Sequence, residues 1–493
     1  MFRIILLIFL TLSTSSIVAQ FDFNGQCIDA YNAAINLKFD QGRQILEKEK
    51  ADHPDNLIPL LIHNYIDFLQ IVVGEHEQDY KQLKSMKNKR VRQIEKASEN
   101  SPYYRYSLAI INLQWAMARV KFNDYTRASF EARKAYFLLK ANQEEYPGFT
   151  PNMIGLGLLH TLIGTIPDQY QWVARLFLLD GSVNGGIDEL NQATAMIIDS
   201  EYAYLLPECL FFITFLNMNF QPDIVLDEDY RQMLEEQSSD QILLNYAYAR
   251  SLMKSGQNDQ AIDVLLNKPE MDGKYHFYYL DYLLGKAKLN RLDQDASGPF
   301  YTYVSNFKGH SFIKASYQKI AWKCLINSDE QGYIDNMGKV IQYGNATVDA
   351  DKQALMEAER KTLPNVNLLK GRLLFDGGYY FKAENCLKDP NIILVNLKDS
   401  VEFNYRLGRI YHAMEKFDKA GKYYKETIRT GSDLPNYYAA NAALHLGMIF
   451  ESKGDFPNAR KYYILCLEMD FVEYHSSITQ KAKAGVDRVR REE

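Results

Sequence analysis

Three times between Asn365 and Glu468 a glycine is followed twelve residues later by alanine and sixteen later by a large apolar residue. The sets are Gly371–Ala383–Leu387, Gly408–Ala420–Tyr424 and Gly447–Ala459–Tyr463. Each glycine also has a bulky apolar partner three residues on, namely Leu374, Tyr411 and Phe450. The sets are offset by 37 residues (408 − 371) and 39 residues (447 − 408). A period in the thirties constrains the chain more than any other feature. One such unit cannot bury its apolar face alone and must stack on a copy of itself. The glycine belongs where two helices of a pair cross closely, with the alanine facing it. The large residues at +3 and +16 fill the space between pairs. The spacing therefore predicts an all-α chain of stacked helix pairs.

Weaker copies extend the pattern in both directions. Ala30 and Ala33 precede Phe39, Gly42, Leu46 and Pro54 at the spacing of a first and second helix. Trp115, Ala116, Tyr125, Ala128, Ala132 and Ala135 hold the same positions. Ala249, Leu252, Gly256, Ala261 and Leu265 form another unit, and Gly285, Ser297 and Tyr301 the next, 36 residues on (285 − 249). A degenerate copy is expected over Tyr317 to Tyr343, with Cys324 at the glycine position. The whole pattern resembles the tetratricopeptide repeat, a helix–turn–helix unit of about 34 residues, with a few residues added per copy. That resemblance implies a right-handed superhelical solenoid whose concave face binds protein segments. It carries no catalytic residues over.

The reading divides the chain into 1–19, a signal peptide; 20–221, divergent helical repeats; 241–470, tetratricopeptide repeats; and 471–493, a polar capping helix. Residues 153–195 form an irregular Gly-rich insertion in the second part, and Pro222 to Asp240 is read as a linker. Here a helix is expected to about Ile163, a turn over Gly164 to Pro167, a helix across Gln169 to Leu179, and another from Ile187. The run Gly155-Leu-Gly-Leu-Leu, Ile166-Pro167, Leu178-Leu-Asp-Gly and Gly186-Ile is similar to a segment of the inclusion-body-clearance family of tetratricopeptide proteins. Asn436-Tyr-Tyr with Gly454-Asp-Phe resembles that family's last repeat. Tyr202 to Phe220 is apolar but holds Pro207, Glu208, Asn217 and Asn219, which makes it a poor membrane span and an expected buried helix.

Arg3, the apolar Ile4 to Leu12 and the small-residue run Ser13 to Ala19 make up a secretory signal, with cleavage expected after Ala19. The first cysteine beyond it, Cys27, lacks a lipoprotein-type sequence ahead of it. The expected location is therefore exported: periplasm, cell envelope or secreted. With 56 Lys+Arg against 62 Asp+Glu the net charge is −6, a mild acidity that argues against nucleic acid as the main partner. The five cysteines, Cys27, Cys209, Cys324, Cys386 and Cys466, are scattered and contain no C-x-x-C pair, so they do not form a disulfide framework. Cys466 is read as core packing.

No motif for chemistry is complete. Asp180-x-Ser182-x-Asn184-Gly185-x-Ile187-Asp188 matches the start of a calcium loop, but Asn191 stands where the bidentate glutamate belongs. Gly155 and Gly157 lack the third glycine of a dinucleotide fingerprint and fit helix packing better. His160 is one of nine scattered histidines without metal-ligand spacing. Catalytic residues, metal and cofactor are therefore all expected to be none. Lys84, Lys87, Lys89, Arg90, Arg92 and Lys96 form a basic run, read as a solvated helix face in preference to an acidic-partner patch. Asn345-Ala-Thr347 is a glycosylation sequon.

The repeat register names the groove. Positions two, five, nine and twelve of each first helix face the concave surface in the resembled family. They are Asn365, Leu368, Arg372 and Phe375; Glu402, Tyr405, Arg409 and His412; and Asn441, Leu444, Met448 and Glu451. The expected partner-binding set is Arg372, Phe375, Tyr405, Arg409, His412, Asn441 and Met448. Arg372 and Arg409 would clamp a carboxylate, with Phe375, Tyr405 and Met448 as apolar anchors. The functional expectation is a non-enzymatic exported scaffold binding a protein or peptide, with no nucleic acid and no membrane span once the signal is removed. The alternatives are an envelope glycan-capture protein of the starch-utilisation type and a hydrolase with its site in 153–195.

Overall fold

A computed structural model describes residues 21–165, 179–220, 228–390 and 392–492. The expected signal segment and its cleavage point lie outside the described residues. So do Ile166, Pro167 and, but for its last residue, the helix expected over Gln169 to Leu179. The described residues hold 24 α-helices and no strand. They form two compact units, one of Met1–Leu244 with Pro269–His276 and the other of Asn245–Lys268 with Phe277–Glu493.

The first unit contains α1 (Gly25–Ile35), α2 (Phe39–Asp52), α3 (Ile58–Gly74), α4 (Glu77–Ile94), α5 (Pro102–Lys121), α6 (Tyr125–Glu145), α7 (Pro151–Gly164), α8 (Val183–Ile197), α9 (Leu206–Phe220) and α10 (Glu228–Ser238). Asn24 begins the first pair by accepting the Cys27 N–H at 3.1 Å, which satisfies one donor of the first turn. The Gly-rich segment packs backbone against backbone. A Cβ on Gly157 would lie 2.7 Å from the Gly186 carbonyl oxygen, and one on Gly186 would lie 2.4 Å from that of Gly157. Ser182 caps α8 by accepting the Gly185 N–H. The resemblance to a calcium loop thus reduces to a helix cap beside a close crossing. His160 is paired with Glu189 across the same crossing, 2.6 Å apart.

Two expectations change in this unit, and a third, the buried helix over Tyr202 to Phe220, is refined. Glu228 to Ser238, read as linker, is helix α10. The basic run is not one solvated face. Lys87 reaches Glu131 at 2.5 Å and Arg90 reaches Asp67 at 2.7 Å, all four side chains little exposed, while Lys89, Arg92 and Lys96 point to solvent. The acidic partners come from α3 and α6, which no local pattern in α4 reveals. Ala203–Phe220 is long and apolar enough to cross a membrane, yet Cys209, Leu210, Ile213 and Leu216 are buried within the unit. Glu208 at its start accepts the Tyr31 hydroxyl at 2.6 Å and the Tyr65 hydroxyl at 3.2 Å.

The second unit contains α11 (Ile242–Lys254, from Asn245 on), α12 (Asn258–Leu266), α13 (Tyr279–Asn290), α14 (Ser297–Asn306), α15 (Ile313–Ile326), α16 (Glu330–Gln342) and α17 (Asp349–Arg360). It continues with α18 (Val366–Asp376), α19 (Tyr380–Leu387), α20 (Leu397–Ala413), α21 (Phe417–Gly431), α22 (Tyr438–Ser452), α23 (Phe456–Glu468) and α24 (His475–Glu492). The expected glycine contacts are present. A Cβ on Gly371 would meet Leu387 at 2.6 Å, on Gly408 Tyr424 at 2.6 Å, and on Gly447 Tyr463 at 2.5 Å. Tyr424, Tyr463, Ala383, Ala420 and Ala459 are fully buried. Helix α24 closes the stack with Ile478, Ala482 and Val489, and brings Gly485 against the other side of Tyr463. A terminal repeat needs such a cover for its apolar face. Cys466 lies in this core, and all five cysteines are free thiols.

A backbone signature defines the register more sharply than glycine does. Seven residues after the small residue of each first helix the chain turns left-handed. Leu37 and Asn123 do so in the first unit; Gly256, Leu292, Ser328, Gly378, Glu415 and Gly454 do so in the second, with φ between 58° and 81° in these six. At each, the next N–H returns to a carbonyl five residues back, as in Asp329 to Cys324 and Lys416 to Tyr411, both within 2.9 Å. This is the Schellman closure of a helix end. Five of the eight positions are not glycine, so a search for glycine alone misses them. The register also corrects one expectation: Ser328 places Ala321, not Cys324, at the small position of α15. The small residues then run 249, 285, 321, 371, 408 and 447. The single step of 50 (371 − 321) marks where α17 is added to the repeat pattern.

Candidate functional site

The added helix creates the site. In the second unit a cavity of about 650 Å³ opens among α13, α15, α17, α18 and α20. Its floor is built on α15. Gln318, Lys319 and Trp322 fall on one face of that helix at i, i+1 and i+4 spacing. Glu357 of α17 takes three neutral donors: Trp322 Nε1 at 2.7 Å, Gln318 Nε2 at 2.6 Å and the Tyr333 hydroxyl at 3.3 Å. The carboxylate thereby holds the indole in one orientation without being neutralised by a cation. Asp351, fully buried on the same helix, accepts the Phe312 and Ala315 N–H groups and ties α17 to the start of α15.

Cations cover the indole. Lys319 Nζ lies 3.9 Å from the Trp322 ring centre, and the Arg372 guanidinium lies 5.1 Å from it. Trp322 is left only 3% exposed. Arg372 Nε is 3.8 Å from Asp376, which is exposed. Lys286 of α13 stands on the same wall, open to the cavity, and makes no hydrogen bond or ion pair among the described residues. Burial pulls the Lys319 amine down to about 7, and the nearby Arg372 and Lys286 charges act in the same direction against Glu357 and Asp376.

The far wall is aromatic and paired. Arg406 binds Glu402 at 2.8 Å and lies over the Tyr405 and Tyr438 rings. Burial alone would raise the Glu402 carboxyl; Arg406 and the Tyr438 hydroxyl hold it below the usual range instead. Tyr437 and Tyr474 meet edge to face, and Glu473 is paired with Arg360 of α17. At the mouth, Leu363 and Leu397 are 47% and 55% exposed, with Ile393 and Val395 still more so on the adjoining loop.

The groove residues named from the register separate into two groups. Arg372 lines the cavity, together with Asn365, Leu368 and Glu402. Arg409 takes a different ring: its guanidinium lies 4.9 Å from the Phe375 centre, and Nη1 donates to the Tyr405 hydroxyl at 2.9 Å. Each arginine thus leans on an aromatic side chain of the preceding first helix. Of the two, Arg372 belongs to the cavity lining. Tyr405 is 1% exposed and sits inside the wall, where it also accepts from Asn441 Nδ2 at 2.7 Å. It positions Arg409 and Asn441 and offers no surface of its own, because an aromatic at position five faces the next helix pair. His412 is 3.3 Å from the Tyr424 hydroxyl, and burial with Arg409 pushes it down to about 4. Met448 packs, half-buried, on the last core cluster.

The sequence reading missed Lys286, Lys319, Trp322 and Glu357. Lys286 was within reach, since it follows Gly285 as Arg372 follows Gly371. Lys319 and Trp322 were lost with the misplaced register of α15. Glu357 lies in the helix the repeat pattern does not contain, although Asp349–Arg360 is rich in strong helix formers.

A tetratricopeptide-repeat family model matches residues 400–470, the stretch of α20 to α23. None of the curated proteins matches the chain. The family match is to the general repeat and does not confirm the narrower inclusion-body-clearance family.

Proposed function

We propose that this chain, which carries tetratricopeptide repeats, holds an extended segment of a partner protein in the groove of its second unit and acts there without catalysing a reaction. Repeats of this kind generally bind proteins or peptides, and the fold is typically that of a non-enzymatic scaffold. The observation that carries the reading is the open cavity at the added helix, which Arg372, Lys319 and Lys286 line together with the exposed Leu363 and Leu397. Polar groups that fix orientation beside apolar surface are the make-up of a binding site. Glycan capture fits less well. A sugar stacks on an open aromatic face, and the ring on the cavity floor, Trp322, is already covered by Lys319 and Arg372.

The reading includes export, on the strength of Arg3, the apolar Ile4 to Leu12 and the small residues to Ala19. Affinity capture from the native envelope, using the chain from Gln20 onward, tests both parts. Arg372→Ala with Arg409→Ala should weaken capture of the recovered partner by about tenfold, the loss of roughly one charge-assisted contact. The melting temperature should stay close to that of the parent. Undiminished capture by the double variant removes the groove reading, and an intact N-terminus on protein from the cytoplasmic fraction removes export.

A further inference from the structure

Resting on the groove reading above, we infer that α17 is a built-in occupant of the groove: it docks across the inward positions of α15, and a partner segment reaches those positions by displacing it. The repeat register locates the contact. With Ala321 as the small residue at position eight, positions two, five and nine of α15 are Ala315, Gln318 and Trp322. All three are held by α17. Asp351 accepts the Ala315 N–H at 2.8 Å, and Glu357 accepts Gln318 Nε2 at 2.6 Å and Trp322 Nε1 at 2.7 Å. Lys286, Arg372, Arg409 and Met448 hold position nine on α13, α18, α20 and α22, and all four stay half-buried. Trp322, at the same position, is 3% exposed. What distinguishes α15 is the helix laid over it.

The stack does not need that helix. The small residues of successive first helices are 36, 36, 37 and 39 apart elsewhere in the unit, and 50 apart across α17. Taking out the 12 residues of α17 leaves a step of 38 (50 − 12), which is an ordinary one. The helix is also lightly held. Its buried face is Asp351, Ala354 and Ala358, at i, i+3 and i+7, the spacing of a helix laid in a groove. Two alanines bury little apolar surface, and Leu355 and Met356 stay half-buried. The rest of the attachment is polar: Asp351 and Glu357 on α15, and Arg360 paired with Glu473 at the far end. Water replaces each of these partners when α17 leaves. Left-handed residues, Gly344 with φ 72° and Lys361 with φ 52°, turn the chain on either side of it. A segment with few buried apolar contacts opens at low free energy.

Displacement changes what the cavity presents. With α17 docked, Gln318 and Trp322 are covered and Glu357 fixes the indole. With α17 released, both side chains join the wall that Arg372 and Leu368 already line. Released, 12 residues are too few for a stable helix in water, so the segment melts and the docked and open states are distinct. Partner affinity is then reduced by the fraction of molecules in which α17 is docked, and anything that takes α17 off α15 raises it.

Hydrogen exchange of the full chain, read by mass spectrometry, is the first test. Amides of α17 should exchange about a hundredfold faster than those of α15 and α18, because α17 opens by itself. Ala354→Glu keeps a good helix former but puts a long charged side chain at a fully buried position. It should abolish protection in α17 and leave that of α18 and α20 unchanged. The second test is a labelled synthetic peptide of residues 346–362, read by fluorescence polarisation. It should bind the Ala354→Glu chain about tenfold more tightly than the parent, whose groove is filled by the tethered copy. Adding Trp322→Ala to Ala354→Glu should abolish that binding. Protection in α17 equal to that in α15, loss of protection in α18 and α20 with Ala354→Glu, or peptide binding that is absent or no tighter in Ala354→Glu overturns the inference. Partner capture undiminished by Arg372→Ala with Arg409→Ala removes the groove reading and leaves the exchange and peptide results as they are, so the two failures are told apart.

Discussion

Replacing Gly408 by alanine sets two effects of known size against each other. A glycine in a helix interior costs about 1 kcal/mol relative to alanine, so local propensity favours the change. The tertiary structure opposes it. The new Cβ would lie 2.6 Å from Cδ1 and 2.7 Å from Cε1 of Tyr424, a fully buried ring. That ring has little room to yield. Its hydroxyl is 3.3 Å from His412 Nδ1, and its face is stacked on His445 with 5.6 Å between centres. Overpacking of this kind costs about 1–3 kcal/mol, so the net change is a loss of up to about 2 kcal/mol. In a unit of some 240 residues each kcal/mol moves the midpoint by about 2–4 °C, and a fall of several degrees is expected. Gly421→Ala, in the partner helix α21, is the matched control. Its Cβ would meet only Leu446, at 3.9 Å, so propensity should win and raise the midpoint slightly. Thermal and urea unfolding followed by circular dichroism read both. A midpoint for Gly408→Ala at or above that of Gly421→Ala would refute the close-crossing argument.

Two further outcomes follow from buried charge. Arg90→Met leaves Asp67 without its partner in a nearly dry site and should cost about 3–5 kcal/mol, whereas Arg90→Met with Asp67→Leu should recover most of it; urea midpoints of the three proteins decide. Lys319 contributes a pH slope of defined sign. Below about pH 7 it is charged folded and unfolded alike, and its burial penalty is felt in full. Between there and its ordinary value of 10.5 the unfolded chain holds a proton that the folded chain lacks, so stability rises with pH. Lys319→Met should remove that component, and an unchanged difference in midpoint between pH 7 and about pH 10 would contradict it.

Much of the fold was legible because its cause is local and periodic. Gly371, Gly408 and Gly447 do sit against Leu387, Tyr424 and Tyr463, as the +16 spacing requires. The register failed at α15, where the small residue is Ala321 and the left-handed turn residue is Ser328. Neither is a glycine, and Cys324 three residues away was the more conspicuous choice. The site was less legible. Arg372 was found through its register, but the ring beneath it, Trp322, lies 50 residues earlier (372 − 322). The same holds for Lys87 and Arg90, whose burial depends on Glu131 and Asp67 on other helices.

The sequence alone determined that this chain stacks helix pairs, since a residue's effect on its own helix and on the one sixteen positions later is set by spacing. Only the tertiary structure decided what the inward face of each first helix does. Packing covers Tyr405 with Tyr437 and Tyr438 and makes it a support for Arg409. The added helix α17 widens one step of the stack into a cavity, and Lys319 and Arg372 cover the Trp322 ring within it. Burial and charge balance sum over every element that surrounds a group, and no repeat pattern read along one strand of sequence contains that sum.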